Sequence, residues 1–409
     1  MATTSNNIPQ GYKATALGII PQEWEVMRLG DIVSITSGES PSLYHLKAEG
    51  KYPYVKVEDL NNCEKYQESS REYSDDNNTT IKAGSIIFPK RGASILNNKV
   101  RIAAKDIQMD SNMMAITPHT AIVDTEFLYI RILHERLYRI ADTSSIPQIN
   151  NKHIIPYKIA VPPLAEQRKI AEVLGVWDEA IEKQARLIEK LALRKRGLMQ
   201  RLLSAKLRLP GFSEPWKEHK IADLFSPIND TNDGREHIPM TISAKSGFIS
   251  QKDKFDRVIA GDSLQKYILL KKGDFAYNKG NSNLYEMGCI YHLNEESALV
   301  PFVYICFRSK GSVNIDFYSQ FFINHGLDRQ LKKIITSGAR GDGLLNVDKK
   351  DFFALNVPYP TIEEQTAIAE VLTAADREIE LAKEKLDRLR RQKRGLMQQL
   401  LTGKKRVKY

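Results

Sequence analysis

Three groups of residues in this chain have types and spacings that invite a chemical reading. His134-Glu135 opens like a zinc-binding HExxH helix, but position 138 is Tyr where the second ligand belongs. Glu49-Gly50-Lys51 has the E-x-K lettering of a metal-dependent nuclease. No upstream Asp on an apolar strand accompanies it to hold the ion, so it reads as a polar turn. The third group consists of Gly-, Ser- and Asn-rich loops with basic residues, whose chemistry is hydrogen bonding rather than bond breaking. In the first half they carry Ser37, Ser40 and Tyr44, then Lys90 and Arg91, then Ser144, Gln148 and Asn150. In the second half they carry Asn229 and Thr231, then Asn278, Lys279, Asn281 and Asn283, then Arg340 and Asp342. Arg and Lys can pair with guanine edges, Asn and Gln with adenine, and short hydroxyls and amides with phosphate.

Composition narrows the partner. Of 409 residues, 60 are basic and 50 acidic, a net charge of +10 that favours a polyanion such as nucleic acid. With 42% hydrophobic residues the chain can build proper cores, so disorder is not the default. No GxxxxGK[ST] loop and no GxGxxG after a strand offers a nucleotide-phosphate cradle. Cys63, Cys289 and Cys306 are odd in number and show no CxxC spacing, which indicates neither a disulfide framework nor a zinc knuckle. Neither a secretory leader nor a membrane-length apolar run is apparent. The expectation is a cytoplasmic protein without metal ligands of its own.

The elements that must present these loops come in duplicate. Residues 167–203 reappear without a gap as 365–401, a constant offset of 365 − 167 = 198, with IAEVL and KRGLMQ kept intact. Upstream of each copy, Ile20 to Trp24 and Leu29 to Ile32 are echoed by Phe212 to Trp216 and Ile221 to Leu224. The chain is therefore two tandem units, each a variable block of about 140 residues followed by a helix. Within the first helix, Ile170, Leu174, Trp177, Ile181, Gln184, Ile188, Leu191, Lys195, Leu198 and Leu202 alternate steps of four and three. That is the spacing of a coiled-coil seam. The second copy gives Ile368, Leu372, Ala375, Ile379, Ala382, Leu386, Leu389, Lys393, Leu396 and Leu400. A single stripe cannot bury itself, so the natural partner of each helix is the other copy, the alternative being that each stripe packs on its own globular domain. Gly175 with Asp178, and Thr373 with Asp376, suggest a helix that restarts after a short first segment.

The variable blocks read as mixed α/β with short strands, among them Lys51 to Val57, Gly84 to Phe88, Val100 to Ala103, Gly273 to Tyr277 and Gly288 to Tyr291. Phe127 to Ile140 and Val300 to Phe307 read as helices. Asn356-Val357-Pro358-Tyr359 comes close to the NPPY signature of exocyclic-amine methylation. Its repeat equivalent, Ala160-Val161-Pro162-Pro163, lacks both Asn and Tyr, so both segments read as linkers into the helices.

In order and in duplicate, these motifs resemble the specificity subunit of type I restriction-modification systems. The marks are PPLAEQRKIAEVL and PTIEEQTAIAEVL entering the helices, KRGLMQRLLSAK and KRGLMQQLLTGKKR leaving them, IPQEWEVMRLGDI, the TSGESPS loop from Thr36, and KGDFAYN from Lys272. The resemblance implies an α+β chain: a first target-recognition domain over 1–160, a spacer-helix region over 161–206, a second target-recognition domain over 207–357, and a second spacer helix with a basic tail over 358–409. It further implies an antiparallel coiled coil with pseudo-two-fold symmetry that holds two readers of a bipartite, asymmetric site on double-stranded DNA. Two methyltransferase subunits and the restriction subunits would dock on this frame. S-adenosylmethionine, ATP and Mg²⁺ would then belong to those partners, with no cofactor on this chain and no catalysis by it. A methylation-only or type II system, or a coiled-coil scaffold, is the alternative. A helix over residues 177 to 203 would be roughly 40 Å long, near one DNA turn. Gly175, Gln184 and the seam lysines depart from the pattern and weaken an otherwise apolar coil.

Overall fold

The computed structural model describes residues 8–142, 146–255, 261–280, 284–335 and 345–408. The chain divides into two compact units, one made of Met1–Gln184 with Lys385–Tyr409 and the other of Ala185–Glu384. In the first, β1 (Val33–Ser37), β2 (Tyr66–Gln67), β3 (Ile86–Pro89), β4 (Arg101–Ala103) and β5 (Met113–Pro118) form a sheet in the order β1-β5-β3-β4-β2. Pairing is antiparallel except for β4 with β2. Ile86 and Phe88 join a core with Trp24 and Phe127, whereas Ile87 between them joins a second core with Val55, Leu60 and Met109. Successive side chains of a strand point to opposite faces, so β3 is apolar throughout because this sheet is covered on both sides.

The second unit repeats the plan. Here β6 (Phe225–Pro227), β7 (Phe275–Asn278), β8 (Cys289–His292) and β9 (Ile305–Ser309) pair antiparallel in the order β6-β9-β7-β8, which matches β1-β5-β3-β4. Phe275 and Tyr277 lie in a core with Phe225, Phe307 and Phe317, and Ala276 lies in another with Ile242 and Cys306. Gly84 (φ 82°) and Gly273 (φ 84°) occupy the turns that lead into β3 and β7. Both take the left-handed conformation that glycine adopts at least cost. The variable blocks thus share strand order while sharing few letters.

Four helices complete the frame: α1 (Thr125–Glu135), α2 (Leu164–Leu202), α3 (Ile315–Ile323) and α4 (Ile362–Leu401). In the first unit, Ile170 and Leu174 near the start of α2 share a core with Leu400 and Leu401 at the end of α4, and Leu396 packs against it. In the second unit, Met199 and Leu202 near the end of α2 meet Ile368 and Leu372 near the start of α4, with Leu198 alongside. Start meets end in both units, which is antiparallel pairing. Of the remaining stripe, Leu191 and Leu386 are buried and Trp177, Ile181, Ile188, Ile379 and Leu389 are half-buried.

The expected restart within each helix is absent, since α2 and α4 run unbroken through Gly175 and Thr373. The aspartates that looked like caps have another role. Asp376 accepts from Lys195 Nζ at 2.6 and 2.7 Å, and Lys393 donates to Asp178. Each repeat's seam lysine therefore meets the other repeat's aspartate, and the lysines are neutralised rather than disruptive.

Three further expectations are corrected. The helix from Phe127 stops at Glu135, because Arg136 turns to φ 65° before a separate short turn Leu137–Ile140. Val300 to Phe307 is no helix. Ser297–Val300 and Ile305–Ser309 are strands of two different sheets, joined by the turn after Pro301. A short apolar run without clear periodicity is the case in which strand and helix look alike. The supposed linkers are strands as well: Lys158–Val161 pairs with Glu25–Arg28, and Asn356–Tyr359 with Lys217–Lys220. In the latter, Tyr359 donates its hydroxyl to Ser312 O at 3.1 Å, and the Asn356 backbone is bonded to the Gln330 amide. The NPPY-like letters are thus a piece of sheet.

Candidate nucleic-acid interface

In the first unit the antiparallel register brings the end of β1, the start of β5 and the end of β3 to one edge of the sheet, with Ser37 opposite Met114 and Pro89 opposite Met113. Gly38 N donates to Met113 O at 3.0 Å and Glu39 N to Met109 O at 2.9 Å, laying the TSGES loop against the turn at residues 109–113. Gly38 is required there, because a Cβ would lie 2.0 Å from Asp110 O. Lys90 N donates to Asn112 O at 2.8 Å. Residues 90–92 then run beside 147–149, through Ile149 N to Lys90 O at 2.9 Å and Gly92 N to Pro147 O at 3.0 Å. Arg91 stands opposite Gln148 in this short ladder. The structure therefore gathers Ser37, Ser40, Lys90, Arg91 and Gln148 at one sheet edge.

Side chains there divide by engagement. Ser40 accepts from Ser42 N at 3.4 Å and caps the turn Pro41–Leu43. Tyr44 is buried, with its hydroxyl donating to Glu39 Oε2 at 2.6 Å and its ring 4.8 Å from that of Tyr54. Hydrogen bonds from Tyr44 and Thr79 hold the Glu39 carboxyl below its ordinary value. Asn150 is exposed, and its backbone N–H donates to His153 Nδ1 at 3.1 Å where a short helix begins. Arg91 is exposed and Lys90 half-buried. Burial pushes the Lys90 amine below its usual value, with Arg91 adding to the effect and Asp110 opposing it. Ser144 lies outside the described residues.

The matching edge of the second unit is built from the end of β6, the start of β9 and the end of β7. Ile228 N donates to Cys306 O at 2.9 Å, which leads the chain to exposed Asn229, and Thr231 then pairs with Ile268. Asn278 shapes the next loop, accepting from Gly280 N at 3.0 Å and donating to Ile242 O at 3.3 Å. Lys279 follows, and its carbonyl accepts from Leu345 N at 2.9 Å. Asn229 and Lys279 line a cleft of about 670 Å³ together with Tyr304, Asp348 and Lys349. Asn281, Asn283, Arg340 and Asp342 lie outside the described residues. Sequence reasoning missed Lys349, which donates to Asn229 Oδ1 at 2.6 Å from 120 positions away. It also missed Asn112, whose amide and backbone N–H both engage Asp110 Oδ1 at 2.8 Å. Neither contact has a local signature. Asp348-Lys349-Lys350 reads only as a capped helix start.

These edges offer cations, amides and hydroxyls for hydrogen bonding. Among the described residues no group of His, Cys, Asp and Glu could hold a metal ion. Burial raises all three thiols above their ordinary value, Cys289 to about 11. Among the described residues no helix is long and apolar enough to cross a membrane.

Behind each edge, the ends of the long helices are fastened in the same way. In the first unit Glu166 is fully buried and accepts from Trp24 Nε1 at 3.0 Å and from both Arg406 Nε and a terminal guanidinium nitrogen, at 2.6 and 2.8 Å. In the second, Glu364 accepts from Trp216 Nε1 at 2.8 Å and from Arg208 at 2.6 and 2.8 Å. Gln167 and Gln365 each accept from the backbone N–H of a helix cap, Asp124 for α1 and Asn314 for α3. Each also donates to the proline carbonyl ahead of its own helix.

Comparison with known proteins agrees with this duplication. The type I restriction modification DNA specificity domain matches residues 21–192 and again 213–391. Two proteins of Methanocaldococcus jannaschii are similar over nearly their whole length: the MjaVIII type I restriction enzyme specificity subunit, 24% identical over 95% of this chain and 94% of that one, and the putative MjaX specificity subunit, 25% identical over 98% and 97%. Among solved structures, the type I S subunit from M. genitalium aligns with a TM-score of 0.53 at 16% identity, covering 98% of both chains. A chain from a study of complex assembly and conformational transition in the type I R-M system aligns with a TM-score of 0.60, also at 16% identity, over 94% of this chain and 99% of that one. At those identities the likeness is one of fold.

Proposed function

Because this chain belongs to the type I restriction-modification DNA specificity family, we propose that each of its two units reads one half of a split, asymmetric site on double-stranded DNA. The observation that carries this reading is the pair of matching sheet edges, alike in strand order and unlike in side chains. Two edges with the same loops would read the same sequence. Edges that share a frame but present Arg91 and Gln148 in one unit, and Asn229, Thr231 and Lys349 in the other, suit unlike half-sites. The paired helices α2 and α4 serve as the spacer between readers, and their exposed faces dock two methyltransferase subunits, with restriction subunits completing the nuclease. This chain supplies recognition, and the bond-making chemistry belongs to its partners.

Footprinting of the chain assembled with its methyltransferase partner, joined to long-read mapping of methylated bases in the host genome, tests this directly. Two dissimilar blocks of a few base pairs separated by an unread spacer are expected. Protection of no bipartite site would leave a scaffold as the better description.

A further inference from the structure

Each unit carries a lysine at the same place in its sheet, and neither has a partner among the described residues. Lys90 directly follows β3, and Lys279 directly follows β7. Their offset, 279 − 90 = 189, equals that between the left-handed glycines ahead of the strands, 273 − 84 = 189, so turn, strand and lysine correspond without a gap. The backbone setting is shared as well: Ile149 N donates to Lys90 O and Leu345 N to Lys279 O, both at 2.9 Å. Both side chains are half-buried, and among the described residues neither ammonium has an ion pair or a side-chain hydrogen bond.

The opposite ends of the same strands supply an internal control. Lys82 lies ahead of β3 and Lys272 ahead of β7, and each is matched by a carboxylate: Asp106 at 2.9 Å and Glu296 at 3.3 Å. Both strands therefore have a lysine at each end, and the one without an ion pair among the described residues stands where the polar loops converge. Asp110 is near enough to oppose the effect of burial on Lys90, but the two form no ion pair, and Asp110 Oδ1 is held by Asn112 at 2.8 Å. A partly desolvated cation without a direct ion pair is costly, so an external anion is the group that completes it.

The next residue separates the two units. It is Arg91 in the first and Gly280 in the second. A feature common to both readers cannot encode two unlike sequences, whereas the sugar-phosphate backbone is common to every sequence. We propose that Lys90 and Lys279 are backbone anchors, each ammonium taking one DNA phosphate in its own half-site and so setting the depth at which the neighbouring loops meet base edges. This rests on the DNA-reading function proposed above and adds to it a division of labour between anchor and reader.

The test uses the full chain assembled with its methyltransferase subunits and the duplex mapped as its site, titrated over a salt series. Lys90→Gln and Lys279→Gln should each reduce the slope of log K against log salt by about 0.9, and the double variant by about 1.8. The methylated bases should stay the same in every variant. Lys90→Arg and Lys279→Arg, which keep the charge, should restore the slope. Unchanged slopes in the Gln variants, a shifted base preference, or no restoration by Arg would each overturn the anchors. If the wild-type assembly protects no bipartite site, the reading function itself falls and the anchors with it. If the wild type binds its site and only the slopes fail to move, the anchors alone are lost.

Discussion

At the scale of single residues, the first unit's edge separates a side chain that can read from those that hold shape. Arg91 is exposed, and its backbone is fixed by the ladder with residues 147–149, as suits the base-reading role proposed above. Arg91→Ala should relax preference at one base pair of one half-site, at a cost in discrimination of about 1–3 kcal/mol, and leave the other half-site intact. Competition binding with single-base-pair variants of the mapped duplex measures this. Tyr44 should behave differently. Tyr44→Phe removes the hydroxyl from Glu39, and the loss, about 1 kcal/mol or somewhat more, should appear in thermal stability with site choice unchanged. The sequence singled out Arg91 as a basic residue in a Pro-Lys-Arg-Gly turn, and the structure places it exposed and opposite Gln148. It misled on Tyr44, since a tyrosine in a polar loop gives no hint of burial against Tyr54. The Lys349 contact with Asn229 was illegible for a different reason: pairing across 120 positions is a property of the fold.

At the scale of elements, the long helices were the most legible part of the chain, because a four-three stripe repeated at a fixed offset suits a helical seam and little else. Their continuity was not legible. Asp178 and Asp376 have the composition of helix caps, and only the cross-pairing with Lys393 and Lys195 reveals another use. Reversing one charge, Lys393→Asp, should destabilise the first unit. Adding Asp178→Lys should recover part of the loss, with a coupling on the order of 1–2 kcal/mol in urea unfolding. Additive effects would mean that the pair contributes nothing beyond its two members. Gly197 and Gly395 offer a second check. Each sits inside a helix where an added Cβ would meet nothing within 4 Å, so Gly197→Ala should stabilise the isolated chain by about 1 kcal/mol. The run at Val300 to Phe307 was read wrongly because one apolar stretch supplies strands to two sheets, and only the turn after Pro301 divides them.

At the scale of the whole molecule, the duplication was visible in letters, but the way the two compact units share the chain was not. Each combines one variable block with the start of one long helix and the end of the other. If the helices act as a ruler, removing one heptad from each, residues 183–189 and 381–387, keeps the seam in phase and shortens both by about 10 Å. The preferred spacer should shrink by roughly three base pairs at about 3.4 Å each. Methylome mapping of a strain carrying the shortened chain would reveal it, and an unchanged spacer would remove the ruler. The fastenings at the helix ends are a matter of the whole chain too. Arg406→Ala strips a fully buried carboxylate of its bidentate partner and should cost roughly 3 kcal/mol, the low end for breaking a buried pair.

Arg406 stands 240 positions along the chain from Glu166, the carboxylate it satisfies, and nearby Gly403 accepts the hydroxyl of Tyr12 from 391 positions away. Excision of residues 403–408 would thus injure the half of the protein translated first. The half translated second, completed by Arg208, would be spared. Loss of that segment should blur recognition of one half-site and leave the other sharp, an asymmetry that no inspection of the lesion's address along the gene would foretell.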